Sequence, residues 1–449
     1  MPYEGEFASY HPLRRIVETE HVKQLLSRCK VCTKENTALP ALEPSLVSEC
    51  TDVLPRLVVA IDGSNTEVPV VNGYPGAKIG YCTVASVLID LALIDELDSD
   101  RPMDPQRFRE TEKASTIDAA LPGSNVVTRW QTSARVSYRQ ELYDKFQNTI
   151  LDEEDRVPLI ETYEALLLLK PHDAQRCPYS ETNGCQESLY IPPGTIECPT
   201  CKQPIFSTDA LRIHERFNDL GTNGEAFAYV RQVWERILLI HLLRCFEKQN
   251  LLNRVDKIAF FIDGPLAVFG PPAWLSAAIS IELKRINAIV QKETGKDLII
   301  VGIEKSGEFV AHFDEIDSTE TAGQSLFPPC GFILLTDNYI KKRIHQSSSV
   351  RRYGQDTYFG RKFFYKTRNG ARIVASIPFL TKEQDTIDSD DVSLYPQFSA
   401  ICSLLDRLVS SRFPNAISPL ISAHAEASIP LNLGAKVLKQ LAQALMGVN

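Results

Sequence analysis

The sequence predicts an α/β protein built on a mixed sheet flanked by helices, with a cysteine-rich module inserted into it. Three observations carry that expectation. Short apolar runs at 57–61, 257–262 and 298–303 alternate with segments of helical periodicity at 227–246 and 273–291, the pattern of an α/β sheet. Residues 78–93 are rich in β-branched side chains, and four cysteines gather between 177 and 201.

Residues 12–50 read as helical, with a polar break near 34–36. The first strand, 57–61, ends in Asp62-Gly63-Ser64. A loop containing Gly73, Pro75 and Gly76 leads into 78–93, a long strand or strand pair, so a β-hairpin is expected. From about 104 to 170 the chain is charged and mostly helical in pattern, as at 138–146 and 159–169. The cysteine-bearing segment 172–206 reads as loops. In 227–246, Val230, Val233, Ile237, Ile240 and Leu243 recur at helical steps, with Glu235 in their midst. The strand 257–262 ends in Asp263-Gly264-Pro265; helix 273–291 and strands 298–303 and 332–335 follow. From 395 onward the chain is helical, punctuated by Pro414, Pro419 and Pro430. The expected divisions are an N-terminal helical segment (1–50), a sheet domain in two parts (51–170 and 216–430) around the cysteine insertion (171–215), and a C-terminal helix (431–449).

With 449 residues, 44% hydrophobic and 23% charged, the chain suffices for one sizeable core and an appended module. The start, MPYEGEFASYHPLRR, has no basic-then-apolar leader pattern, and no apolar run approaches the roughly 18 residues of a membrane span. A soluble, cytoplasmic protein without a membrane partner is expected. Eleven cysteines, mostly single within apolar segments, suit a reducing compartment. The net charge of −9 excludes blanket attraction to nucleic acid, so DNA binding requires a local basic patch.

Asp62 and Asp263 share a setting, each directly after an apolar strand and directly before glycine. Carboxylates at the carboxyl ends of neighbouring strands project into the crevice where open α/β sheets bind ligands. Hard oxygen donors suit magnesium or manganese, which assist phosphodiester cleavage by activating water and neutralising charge. Glu235, in the apolar run WERILLIHLL, is the natural third member, since an unpaired charge there is costly. Asp337, after FILLT, offers a fourth. The residues alone leave plainer readings open: Asp-Gly is an ordinary turn dipeptide, and Glu235 can sit on a solvent face beside Arg231 and Arg236.

Cys177, Cys185, Cys198 and Cys201 have the spacing C-x7-C-x12-C-x2-C. A CPTC turn chelates zinc from one loop, and a second pair completes a closed structural site of zinc-ribbon type. The first pair is wider than usual; unliganded thiols, with His172 or His214 as substitute ligands, are the alternative.

Residues 341–368 hold nine basic residues against one acid, Asp356. Lys341, Lys342, Arg343, Arg351, Arg352, Arg361, Lys362 and Lys366 are interleaved with Tyr353 and other aromatics, the composition of a groove that tracks phosphates and stacks bases. An amphipathic hairpin whose aromatics form its core face is the alternative.

Taken in order, the motifs VVAIDGS, VWERILLIHLL, FFIDGPLAVFG, VGIEKSGEF, LLTDNYI, YGQDTYFGRKFFYKT and SPLISAHAEASIP resemble those of the NurA nucleases. The resemblance spans roughly 57–430, interrupted by the cysteine insertion. It implies an RNase H-like fold, a homodimer, manganese- or magnesium-dependent cleavage of DNA, and a HerA-type hexameric ATPase as partner, in DNA end processing and repair or antiviral defence. It implies Asp62, Glu235 and Asp263 as metal ligands, with Lys305, Asp337 and His424 at further positions near the site. A neutral imidazole at His424 would position water or shuttle its proton. The chain departs from the family at Ala416, where relatives carry an aromatic residue eight positions before the histidine; Tyr395 is a candidate to replace it in space.

Two other readings stand beside the nuclease. One is a catalytically inactive DNA-binding adaptor of such a complex; the other is an actin-like phosphotransferase, since Asp-Gly-Ser after a first strand also cradles phosphate. The sequence has no GxxxxGK[ST] loop, so nucleotide-driven movement falls to a partner.

Overall fold

The computed structural model describes residues 11–29, 43–73, 76–92, 112–151, 156–317, 325–345, 347–385, 388–409, 417–429 and 433–447. The chain divides into an N-terminal unit, Met1–Glu43, and a second unit, Pro44–Asn449. In the first, helices α1 (His11–Glu18) and α2 (Glu20–Arg28) bury no residue. Helix was expected on to residue 50; residues 30–42 lie outside the described residues, and Ser45–Leu46 is instead a strand, β1. It pairs antiparallel with residues 331–332 and is too short to leave any periodicity in the sequence.

The second unit is organised by a nine-stranded sheet. Its members after β1 are β2 (Leu57–Val71), β3 (Ala77–Asp90), β4 (Glu112–Pro122), β9 (Ile258–Asp263), β10 (Ile299–Glu304), β11 (Gly331–Leu334), β12 (Gly360–Lys366) and β13 (Arg372–Pro378). The short strands β5 (Gln175–Arg176), β6 (Ser188–Leu189), β7 (Thr195–Glu197) and β8 (Pro204–Phe206) form two separate hairpins in the cysteine module. The sheet order is β1-β11-β12-β13-β10-β9-β2-β3-β4. β2, β9 and β10 are parallel, and every other pairing is antiparallel.

Strand alternation divides the core. Val59, Ile61, Phe260, Ile262 and Ile300 face one layer, made by α3 (Ala134–Asn148), α4 (Leu159–Leu167), α5 (Gly224–Lys248) and α6 (Leu275–Thr294). Val58, Ala60, Ala259, Phe261, Val301 and Ile303 face the other, covered by α8 (Phe398–Leu408) and α9 (Ser418–Ala427). Both faces of the parallel strands are thus buried, which is why they read as unbroken apolar runs. Each of the valine, isoleucine and phenylalanine side chains among these contributes about 1.5–3 kcal/mol by leaving water. Helix α7 (Glu308–Asp317) packs Phe309 and Phe313 with Phe364 and Val374 in a third, smaller cluster, and α10 (Leu433–Met446) is the last element.

Three further elements differ from expectation. The first strand does not stop at Ile61 but continues to Val71, because β3 pairs with it along its whole length. β4 lies where helix was expected: its inward residues Ile117 and Leu121 stand four apart, a helical spacing, and this edge strand offers little else apolar. Residues 172–206 are hairpins, and their Cys177, Tyr179, Ile191, Ile205 and Phe206 join the same core as α3 to α6. Among the described residues, no helix is long and apolar enough to cross a membrane.

Candidate active site

Where β9 ends, its neighbours place four of the expected residues together. Ile61 pairs with Ile262 and Ile303 pairs with Asp263, so Asp62, Asp263 and Lys305 fall on one face of three adjacent parallel strands. They share the parity of Val58, Phe261 and Val301 and face the layer that contains α9. The Lys305 ammonium sits between the two aspartates, 2.6 Å from Asp263 Oδ1 and 3.8 Å from Asp62 Oδ2. From α9, His424 brings Nδ1 to 3.0 Å from Asp62 Oδ2. Asp62 is buried, whereas His424 is more than half exposed. An open pocket of about 580 Å³ is bounded by Asp263, Pro265, Glu304, Lys305, Ile421 and His424.

Glu235 approaches from the opposite layer. It is only 2% exposed, which removes the solvent-face reading. Its Oε1 is 2.6 Å from Arg231 and its Oε2 3.2 Å from Arg236. Gly63 makes room for it: a Cβ there would lie 2.7 Å from Glu235 Oε1 and 2.9 Å from Arg231 Cγ. The glycine after Asp62 therefore admits a carboxylate. The glycine after Asp263 serves differently, since Gly264 adopts φ +79°, a turn that an L side chain would strain.

Burial, and then the adjacent Asp263 carboxylate, push the Asp62 carboxyl above its ordinary range, against the pull of Lys305, His424 and the Gly63 N–H. Burial likewise raises Glu235 although both arginines oppose it, and the charges of Asp62 and Asp263 add to the rise. Buried carboxyls whose ionised forms are disfavoured are stabilised by an added cation. Asp263 Oδ1 is also buried without a hydrogen bond, its approach to Lys305 being an ion pair. The donor chemistry thus fits a hard divalent ion. The three carboxylates are not gathered as tightly as the cysteines are: among the described residues, only Cys177, Cys185, Cys198 and Cys201 bring their donor atoms within 4.8 Å of one another.

Asp337 does not join the site. Three successive antiparallel pairings separate β11 from β10, so β11 runs opposite to the parallel strands and ends, at Leu334, level with Asp263 but well to its side. Four strand spacings intervene between β11 and β9, about 19 Å. There Asp337 accepts from the Tyr353 N–H at 2.6 Å and pairs with Lys341 at 2.7 Å, a loop-holding role. Tyr395 is buried, with its hydroxyl donating to the Gln384 carbonyl at 3.4 Å, and does not stand in for an aromatic residue at the site. Ala416 lies outside the described residues.

The basic stretch separates by burial. Lys342, Arg351 and Arg352 are exposed; Lys341, Arg343, Tyr353 and Lys366 are half-buried; Arg361 and Lys362 are buried in β12. The Lys362 ammonium pairs with Glu304 and lies over the Phe309 ring, and Lys366 pairs with Asp317 at 2.8 Å. Phe359, Phe363, Phe364 and Tyr365 are core. Arg361 and Lys362 are covered within β12 and, with Arg352, Tyr353 and Tyr358, form part of the wall of a cavity of about 580 Å³ rather than projecting freely into solvent.

Arg236 is a residue beside the candidate site that sequence reasoning did not single out. Fully buried, it donates to the carbonyls of Asp263 (3.1 Å), Pro265 (3.0 Å) and Ala267 (3.3 Å) while pairing with Glu235. It fixes the loop that follows Asp263 to the helix that carries Glu235. Its signal was present in the sequence, as a second charge beside Glu235 in an apolar run.

A family model for the NurA domain matches residues 56–429. No curated protein matches the chain. Solved structures are also similar to it. The NurA nuclease from Sulfolobus solfataricus shares 13% identity over 90% of this chain and 87% of its own, with a TM-score of 0.29. A structure described as NurA shares 11% over 97% and 95%, with a TM-score of 0.27. Because the family model spans most of its length, from the residue before β2 to the end of the segment bearing His424, this chain belongs to the NurA domain family.

Proposed function

We propose that this chain is a deoxyribonuclease that depends on manganese or magnesium, with Asp62, Asp263 and Glu235 as the residues that hold the ion. One observation carries the reading: Asp62 and Asp263 stand side by side at the end of β9, bridged by the Lys305 ammonium, with His424 against Asp62. When bound, the divalent ion supplies charge neutralisation at the phosphate and activation of the attacking water. Lys305 offers a second positive charge to a phosphate oxygen. An Nδ1–H of His424 held by Asp62 leaves Nε2 as the nitrogen that exchanges a proton. Arg236 and Gly264 fix the backbone beneath Asp263. The order β4-β3-β2-β9-β10, an antiparallel meander extended by two strands parallel to its first, supports the RNase H-like reading.

The family resemblance extends the proposal to a second copy of the chain and a HerA-type hexameric ATPase as partners in DNA end processing. The test is incubation of wild type, Asp62→Ala and Asp263→Ala with labelled single- and double-stranded DNA and manganese. Cleavage by wild type alone is expected. Equal cleavage by all three excludes this site, and DNA binding without cleavage by any of them, with the ATPase present, favours an adaptor.

A further inference from the structure

We propose that Cys177, Cys185, Cys198 and Cys201 hold one zinc ion as a closed tetrathiolate formed between two hairpin knuckles, separate from the carboxylate site. Each hairpin delivers two of the ligands. Cys177 directly follows β5 and Cys185 lies just before β6; Cys198 directly follows β7 and Cys201 lies just before β8. The hairpin registers, Arg176 with Ser188 and Glu197 with Pro204, hold each pair in the loop that joins its two strands.

The sulfur geometry identifies the ion class. Cys177 Sγ is 3.9 Å from Cys201 Sγ, Cys185 Sγ is 3.8 Å from Cys198 Sγ, and all four lie within 4.8 Å of one another. A regular tetrahedron with zinc–sulfur bonds of about 2.3 Å has sulfur–sulfur edges of about 3.8 Å. Disulfides require about 2.05 Å. Four thiolates around one ion leave no open position, so the site is structural rather than hydrolytic.

The wide first spacing has a structural account. Residues Ser180–Asn183 form one helical turn that takes up the extra length, and Gly184 at φ +76° turns the chain back to Cys185. In the second knuckle Lys202, after Cys201, has a positive φ of +57°, and its N–H donates to the Cys198 carbonyl at 3.0 Å. His214 is excluded as a substitute ligand, because it is held beside Asp209 at 3.7 Å and is absent from the donor group. His172 is likewise outside the group, packed against Tyr190.

Strands of two and three residues cannot hold such a module by their own hydrogen bonds. The module nevertheless supports the helical layer: Asp209 pairs with Arg139 of α3, the Ser207 carbonyl accepts from Tyr163 of α4, and the Ala210 carbonyl accepts from Trp274. Zinc at the knuckles would stabilise the surface on which α3 and α4 rest.

The test is metal analysis of the full chain purified without chelator. About one zinc per chain is expected, retained in Asp62→Ala and Asp263→Ala and lost in Cys198→Ser and Cys201→Ser. Cobalt exchanged into the wild type should show thiolate-to-metal charge-transfer absorption. If the cysteine variants prove insoluble, a mercurial reagent titrated into the wild type should release zinc in step with thiol modification. Absence of zinc, iron in its place, or zinc lost from the aspartate variants but kept by the cysteine variants overturns the proposal. None of these readouts depends on DNA cleavage, so failure here and failure of the nuclease reading are separately visible.

Discussion

His424 Nδ1 lies 3.0 Å from Asp62 Oδ2, joining an exposed helix residue to a carboxylate buried in β2. The pairing orients the imidazole proposed to exchange a proton through the carboxylate proposed to hold the ion. Because the histidine is largely solvated, His424→Ala should leave the thermal midpoint nearly unchanged. Its cleavage rate should fall by about 10²- to 10⁴-fold, the usual contribution of a positioned acid–base group. Single-turnover cleavage under saturating manganese, alongside a thermal melt, checks both halves; an unchanged rate removes His424 from the chemistry.

Arg236 makes the opposite prediction, because it is buried and shared among Glu235 and three carbonyls. Arg236→Met leaves Glu235 with Arg231 alone and orphans the carbonyls of the loop after Asp263. Removing one partner from a buried ion pair costs about 3–5 kcal/mol. Adding Glu235→Gln should recover part of that loss, since the uncompensated charge disappears with it. Denaturant unfolding of the two single variants and the double variant measures the coupling, and strict additivity would show that the pair does not act as a unit.

The legibility of the fold was uneven for identifiable reasons. The parallel strands were readable because burial on both faces leaves them uniformly apolar, and α5 because its stripe recurs at helical spacing. β4 was not, since Ile117 and Leu121 imitate a helix when the pairing with β3 is unseen. At the candidate site, Asp62, Asp263, Lys305 and His424 come together in the structure, and Glu235 lies just across Gly63. Asp337 is separated from them because a strand-end aspartate reads identically whichever strand carries it, and β11 lies four strands from β9. The burial of Arg361 and Lys362 was not legible because composition does not tell which strand positions are covered.

That burial divides the predicted behaviour of the basic stretch. If exposed Arg351 and Arg352 contact phosphates, the double change to alanine lowers the salt dependence of DNA affinity by about one unit of log–log slope per lost contact. The fold should be unaffected, because their ion pairs with Asp356 and Asp388 are at the surface. Lys362→Met should instead destabilise the protein, leaving Glu304 without its buried partner, while folded molecules keep the wild-type salt slope. Binding titrations across a salt series, paired with melts, separate the two; a slope change confined to Lys362→Met contradicts the assignment.

His214 provides a pH test of the cysteine module that does not involve the nuclease chemistry. It is 7% exposed, and burial, only partly opposed by the nearby Asp209 carboxylate, brings its pKa down from 6.5 to about 4. The folded state therefore keeps the ring neutral while the unfolded chain binds a proton below about pH 6.5. Stability from this group is fully present above that pH and is lost as pH falls through the window from 6.5 to about 4. The shift corresponds to about 3 kcal/mol over the whole window. His214→Gln should unfold with a shallower loss of stability between pH 6.5 and 4.5 than the wild type, other titrating groups being common to both. Denaturant midpoints at three pH values in that range give the difference, and parallel curves for the two proteins would mean that the ring does accept a proton in the folded module.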